Sequence, residues 1–263
     1  MKKINLKKIN HNYKRGDKCG DITPNVKESC LFIEDGEIIG FYIRQIPESM
    51  AKFINLANYE LLSDRVPKSV MQRKKVDLSN QNSEKRVYKD VVNQYSTILG
   101  GIPPKEMNKR YYATISSVHR KESAQNFIKA MIKSCIEGEN LIKEYMPKQY
   151  NLQKELIQNN VIKKYQFGNL FTSSISNFNI SADFHMDTKN IKNSVNIIIN
   201  KKENANGGNL YIPDYDACID CIDNSLTVYP AWKSLHGVTP IIPTKENGYR
   251  NSLVFYALTG LNK

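Results

Sequence analysis

His185-Met186-Asp187, with His236 and Arg250 further along, is the grouping in this chain whose residue types can do redox chemistry. Residues two apart on a strand point to the same side, so His185 and Asp187 can reach one metal ion from a strand end. His236 closes the face from a strand 49 positions later. Two imidazoles and one carboxylate leave open positions on Fe(II) for a co-substrate and O₂. The chain holds four histidines, and His185 is the only one with an acid two residues on. An HxD alone is more often structural; the final strand makes the difference.

That strand reads GYRNSLVFYALTG. Alternation puts Arg250, Ser252, Val254 and Tyr256 on one face and Asn251, Leu253, Phe255 and Ala257 on the other. A buried guanidinium needs an anion, and it meets a carboxylate as a bidentate fork with the Ser252 hydroxyl beside it. A dicarboxylic co-substrate satisfies both ends of the site, one carboxylate on the metal and the other on Arg250; 2-oxoglutarate has that shape. An internal salt bridge from Arg250 to an Asp is the alternative.

The elements that must position these residues divide into two halves. LFIEDGEIIGFYI, Leu31–Ile43, reads as a hairpin around Asp35-Gly36. Pro47 opens an amphipathic helix to about Leu62, with Met50, Phe53, Ile54, Ala57 and Leu61 on one face. Asp64–Asp90 is polar and basic and reads as a long loop, Gly100–Pro104 as a break. Ser123 can cap a helix that carries Phe127, Ile128, Met131, Ile132, Cys135 and Ile136 to about Tyr145, stopped by Pro147. A second helix covers about Gln149–Asn159. Short β-rich runs follow at 172–181, 194–200, 208–212, 225–229, 236–242 and 250–258. Strands so spaced indicate an antiparallel sandwich or barrel. The expected class is α+β, with 1–160 a basic part packing on a catalytic core at 161–263, the two forming one compact unit.

The formal net charge is +12. Residues 1–160 hold 28 Lys+Arg against 18 Asp+Glu, net +10; residues 161–263 hold 10 against 8, net +2. A basic half joined to a nearly neutral metal-bearing half suggests a polyanion gripped by one and processed by the other. Lys- and Asn-rich solvated surface explains the charge equally well. No stretch approaches the roughly 20 apolar residues of a membrane span. The Lys-rich residues 1–20 are expected to be mobile at their start and lack the apolar run of a secretory signal. Five cysteines fit a reducing, intracellular compartment, cytoplasm or nucleus, better than a disulfide framework. Cys218-Ile219-Asp220-Cys221 reads as a loop between strands with Asp214, Asp216, Asp220 and Asp223 solvated; a zinc site there needs Cys19, Cys30 or His11 to complete it.

HMDTKN (185–190), GGNLYIPDY (207–215), SLTVYPAWKSLHGVTPI (225–241) and RNSLVFY (250–256) together resemble the TET/JBP branch of the Fe(II)/2-oxoglutarate dioxygenases over about 170–258. The resemblance implies a double-stranded β-helix, or jelly roll. It also implies Fe(II), 2-oxoglutarate and O₂ as cofactors, and hydroxylation of the 5-methyl group of a pyrimidine in nucleic acid, most readily DNA. Carried over, His185, Asp187 and His236 hold iron, and Arg250 and Ser252 hold the distal carboxylate of 2-oxoglutarate. Arg120 is a candidate for a second arginine on that co-substrate. Asn190 contacts the target base, with a turn role as its alternative, and Tyr256 lies near base or co-substrate, with a core role as its alternative. Leu258 stands where animal TET enzymes carry a base-contacting His, and these 263 residues contain no Cys-rich zinc module. Thymine therefore stays open beside 5-methylcytosine. A methyl stacked in a duplex cannot reach a barrel-mouth iron, so the target must be flipped or single-stranded. Two rivals remain: an oxygenase of protein or small molecules, and a catalytically silent nucleic-acid-binding module.

Overall fold

The computed structural model describes residues 1–76 and 88–262. Asp35 and Gly36 both take positive φ, 51° and 82°, the two left-handed residues that a type I′ turn requires. They join β2 (Cys30–Glu34) to β3 (Glu37–Ile43). β1 (Lys2–Asn5) lies parallel to β2. Residues 1–20 are thus tied down, contrary to the mobility expected of so Lys-rich a start. The backbone hydrogen bonds Leu6 N to Ile33 O and Ile9 N to Asp214 O continue the attachment.

β4 (Ser69–Val76) and β5 (Tyr88–Ile102) form an antiparallel pair where a long loop is expected. The polar sequence of this ribbon lacks the apolar alternation that betrays a half-buried strand. Residues 77–87 of that expected loop lie outside the described residues. Gly100-Gly101 is no break either. Both glycines belong to β5, and a Cβ on Gly100 (φ +82°) would lie 2.4 Å from Thr172 O. Gly100 lets β5 press against the start of the strand beside it, Gly101 leaves room for Leu261 and Tyr165, and β5 also pairs with the short β6 (Thr114–Ile115).

Three helices are described: α1 (Glu48–Leu62), α2 (Gln125–Tyr145) and α3 (Pro147–Asn160). Pro47 and Pro147 sit at helix starts, where a missing N–H costs nothing. Ser123 does not cap α2; its hydroxyl donates to Arg65 O, and 3-10 turns precede the helix instead. Met50, Ile54, Ala57 and Leu61 of α1 and Phe127, Ile128, Met131 and Cys135 of α2 are buried, whereas Ile132 and Ile136 are exposed.

The β-rich half supplies β7 (Ser173–Phe178), β8 (Ala182–His185), β9 (Asn196–Glu203), β10 (Ala205–Gly207), β11 (Leu210–Ile212), β12 (Ala217–Ile219), β13 (Leu226–Tyr229), β14 (His236–Val238), β15 (Ile241–Pro243) and β16 (Tyr249–Tyr256). The large sheet runs β1-β2-β3-β13-β9-β16-β7-β5-β4, and a smaller one runs β12-β11-β14-β8. Helices cover one face of the large sheet, through Ile197, Ile199, Leu253 and Phe255. The other face looks toward the small sheet. This is a jelly-roll double-stranded β-helix in an α+β chain, and strands from residues 1–160 lengthen the same large sheet. The Cys218–Cys221 segment is not a plain loop: Cys218 lies in β12 and both cysteines are buried, Cys221 at 0 % exposure in an apolar cluster with Val26 and Cys30. Burial pushes the Cys218 thiol up to about 12, so it packs as a small hydrophobe, and among the described residues neither cysteine belongs to a group of three potential metal ligands. Among the described residues no helix is long and apolar enough to cross a membrane.

Candidate metal centre

β8 and β14 are neighbours in the small sheet, with His185 registered opposite His236. Their rings lie 4.3 Å apart between centroids, and His185 Nε2 is 3.7 Å from Asp187 Oδ1. One ligand atom from each of His185, Asp187 and His236 falls within 4.8 Å of the others, and among the described residues no other group of three His, Cys, Asp or Glu does so. Each histidine has its Nδ1 against a backbone carbonyl two residues earlier: Asp183 O at 2.8 Å for His185 and Ser234 O at 3.0 Å for His236. A carbonyl can only accept, so Nδ1 carries the proton and Nε2 keeps its lone pair for a metal. Burial, with His185 close by, pushes His236 down to about 4, so this imidazole is neutral near pH 7.

Asp187 is aimed by two asparagines. Asn196 Nδ2 donates to Asp187 Oδ2 at 3.1 Å, Asn190 Nδ2 approaches the same oxygen at 3.5 Å, and Asn190 also donates to Asn196 Oδ1 at 2.9 Å. Oδ1 is left on the side of the histidines. Asn190 is 4 % exposed in the cavity wall, so it holds a carboxylate that reaches the metal position as well as facing the cavity. Asn196 was not foreseen from sequence. It belongs to NIIIN, a strand whose inward face alternates Asn196, Ile198 and Asn200; two amides inside an isoleucine run were the available signal.

Arg250 lines the same cavity and is 3 % exposed. No carboxylate answers it. Its Nη2 donates to Asn200 Oδ1 at 2.6 Å, and its buried Nε has no partner at all. The internal salt bridge that would have made Arg250 structural is therefore not formed among the described residues. A buried cation with an unmet N–H is an anion site awaiting its anion. Ser252 stands on the same face of β16 and accepts from Asn177 Nδ2 at 3.3 Å. The Gly207-Gly208 pair serves this arginine. A Cβ on Gly208 would sit 3.1 Å from Arg250 Cγ, and one on Gly207 would strike Pro240 O at 1.9 Å.

Val254, Tyr256 and Leu258 continue the wall of a cavity of about 480 Å³ that runs from Arg250 past the triad to the surface. Burial, with Asp187 nearby, pushes the Tyr256 hydroxyl well above its ordinary range, so it remains a protonated donor. The other face of β16 packs on the helices as the alternation requires, with Leu253 and Phe255 in the main core. Arg120 is elsewhere. It is exposed in the 3-10 turn Ser117–Arg120 and does not line the cavity, since its neighbour His119 is committed to accepting from Gly100 N at 2.9 Å. The second arginine on the cavity is Arg15, from the Lys-rich start of the chain.

Two imidazoles held at Nδ1 by backbone carbonyls, one aimed carboxylate and an orphaned guanidinium fit a divalent iron with a dicarboxylate co-substrate. Fold and donor set thus define a metal-dependent oxygenase of the jelly-roll type. The family model of the TET/JBP oxygenase domain of the 2OGFeDO superfamily matches residues 104–259. The chain belongs to that family and is an Fe(II)/2-oxoglutarate-dependent dioxygenase, with O₂ as the other co-substrate. Among solved structures, NgTET1 in complex with 5mC DNA matches at TM-score 0.54 and 15% identity, covering 93% of this chain and 84% of that one. An oxidoreductase of the 2OG-Fe(II) oxygenase family from Burkholderia pseudomallei matches at TM-score 0.45 and 12% identity, covering 85% and 88%. No curated protein sequence matches the chain.

Proposed function

We propose that this dioxygenase hydroxylates the 5-methyl group of a pyrimidine, thymine or 5-methylcytosine, in nucleic acid and most readily in DNA. The observation that carries the reading is the cavity. It falls within the roughly 300–1,000 Å³ that ligand pockets occupy, and its wall carries, beside the triad and Arg250, the Asn190 amide oxygen and the Tyr256 hydroxyl as the groups that would meet a base edge. In the overall reaction the methyl becomes hydroxymethyl and 2-oxoglutarate becomes succinate and CO₂; one atom of O₂ goes to the hydroxymethyl and the other to succinate, while CO₂ keeps the oxygens of the carboxylate it came from. Bound iron supplies the oxidant for that unactivated C–H bond. The protein supplies position. His185, Asp187 and His236 fix the reacting centre, Arg250 and Ser252 orient the co-substrate, and the apolar wall of Ile198, Val254 and Leu258 keeps water away. A stacked base cannot enter a cavity of this shape, so the target is extruded or single-stranded.

Likeness of the 5mC DNA-bound relative in fold, and the +10 net charge of residues 1–160, support a polynucleotide substrate. Nucleoside mass spectrometry after incubation with Fe(II), 2-oxoglutarate and DNA bearing thymine or 5-methylcytosine tests the reading. The expected product is the 5-hydroxymethyl nucleoside, formed together with succinate. Succinate without any altered base would move the substrate to a protein or small molecule. No turnover with any substrate would leave only a binding module.

A further inference from the structure

The segment before residue 20 forms a strap across β8. Lys14 and Asp17 close a turn: Asp17 N donates to Lys14 O at 3.1 Å and Lys14 N to Asp17 Oδ2 at 2.7 Å, with Gly16 at φ +94°. Glycine there takes the left-handed conformation such turns need. The turn is pinned next to the metal site, because Gly16 N donates to Phe184 O at 2.8 Å and Phe184 N to Asp17 O at 2.9 Å. Phe184 immediately precedes His185. Arg15, at the corner of the turn, lines the cavity together with His185 and Met186.

Lys189 lines the cavity too, four residues before the left-handed Asn193 and held by Thr259 N donating to its carbonyl at 2.9 Å. Both cations are exposed, and neither takes part in an ion pair among the described residues. The cavity therefore has one buried cation, Arg250, and two exposed ones. A 2-oxoglutarate dianion already has a partner for each end, the metal and Arg250. The outer pair is left for whatever enters from solvent. Cations on two segments beside one opening match a strand whose phosphates flank an extruded nucleotide, each phosphate carrying one negative charge.

We propose that Arg15 and Lys189 hold the phosphates flanking the target nucleotide and so select a polynucleotide strand over a free base. This rests on the nucleic-acid reading above and names the residues that enforce it. The test is fluorescence anisotropy of the full chain with a labelled single-stranded oligonucleotide of about 12 nucleotides, titrated across KCl concentrations. Each phosphate contact on a single strand contributes about 0.7 to the slope of log affinity against log salt. Arg15→Ala and Lys189→Ala should each lower the slope by about that amount, and the double variant by about twice as much. Arg15→Lys, which keeps the charge, should retain the wild-type slope. Unchanged slopes in both alanine variants, with the wild type still binding in a salt-dependent manner, would overturn the assignment while leaving the function standing. A raised KM for 2-oxoglutarate in Arg15→Ala, with its oligonucleotide slope intact, would overturn it in favour of a co-substrate contact. A wild-type chain that does not bind the oligonucleotide removes the nucleic-acid reading itself.

Discussion

Arg250 is the residue whose surroundings say most. Removing a buried cation that lacks an anion is often neutral or stabilising, whereas removing one whose partner is bound is costly. Arg250→Met should therefore melt no lower than wild type without ligand, yet lose most of the thermal shift that 2-oxoglutarate gives and raise its KM about 10–100-fold, the equivalent of the ~1.5–3 kcal/mol in a charge-assisted hydrogen bond. Differential scanning fluorimetry with and without 2-oxoglutarate reads both halves. Asn196→Ala tests the other support of the site. It removes the 3.1 Å donor to Asp187 and the acceptor of Asn190, and should weaken Fe(II) binding by about 10–100-fold in an anaerobic titration, as losses behind metal ligands do. Asp187→Ala should abolish turnover outright, and base oxidation by that variant would remove the triad from the chemistry. At this scale the sequence was legible wherever a side chain had to meet a metal or an anion, because few residue types can. His185, Asp187, His236, Arg250 and Ser252 converge on one cavity. Asn196 and Asn200 were not foreseen; their one signal was a pair of amides in an otherwise isoleucine strand, which names no partner.

Among the elements, α2 is tied to the strand that follows it by one carboxylate. Glu139, 2 % exposed, accepts from Asn169 N at 2.6 Å, Leu170 N at 2.9 Å and Asn169 Nδ2 at 2.7 Å. Leu170 is buried and its N–H would otherwise lack this partner just before β7, which lies beside β16 in the large sheet, whereas the exposed Asn169 can turn to water. Glu139→Ala should cost about 1–3 kcal/mol in urea unfolding, the range for one unsatisfied buried group. Sequence reading found α1, α2, α3, the β2–β3 hairpin and the runs of β7, β9, β13 and β16, because each buries one face and so repeats at 3.6 or 2. It missed β4 and the start of β5, whose polar composition carries no such period. It also missed β12, which it read as a loop around the two cysteines. Arg120, drawn from a helix start, is exposed and is not among the residues that line the cavity.

For the molecule as a whole, the strap and β1 can be separated by nested deletion. Loss of residues 1–9 removes an edge strand and should change little beyond a lowered melting temperature, at roughly 2–4 °C per kcal/mol for a chain of this size. Loss of residues 1–18 also strips the Gly16 and Asp17 contacts from Phe184 and uncovers the Phe184–Tyr211 cluster. That deletion should lose affinity for oligonucleotides as well as heat resistance. Melting curves and anisotropy on the two truncations distinguish the cases.

β16 lies between β9 and β7, in the middle of the large sheet rather than at its edge. During synthesis the ribosome delivers β9 and β7 long before it delivers Tyr249–Tyr256, so a growing chain must keep a strand-wide slot open, with two unsaturated backbone edges, until β16 emerges. Edges of that kind recruit other chains. The enzyme is therefore most exposed to aggregation in the moments before its co-substrate arginine leaves the ribosome, and slowing translation upstream of residue 249 should raise the insoluble fraction.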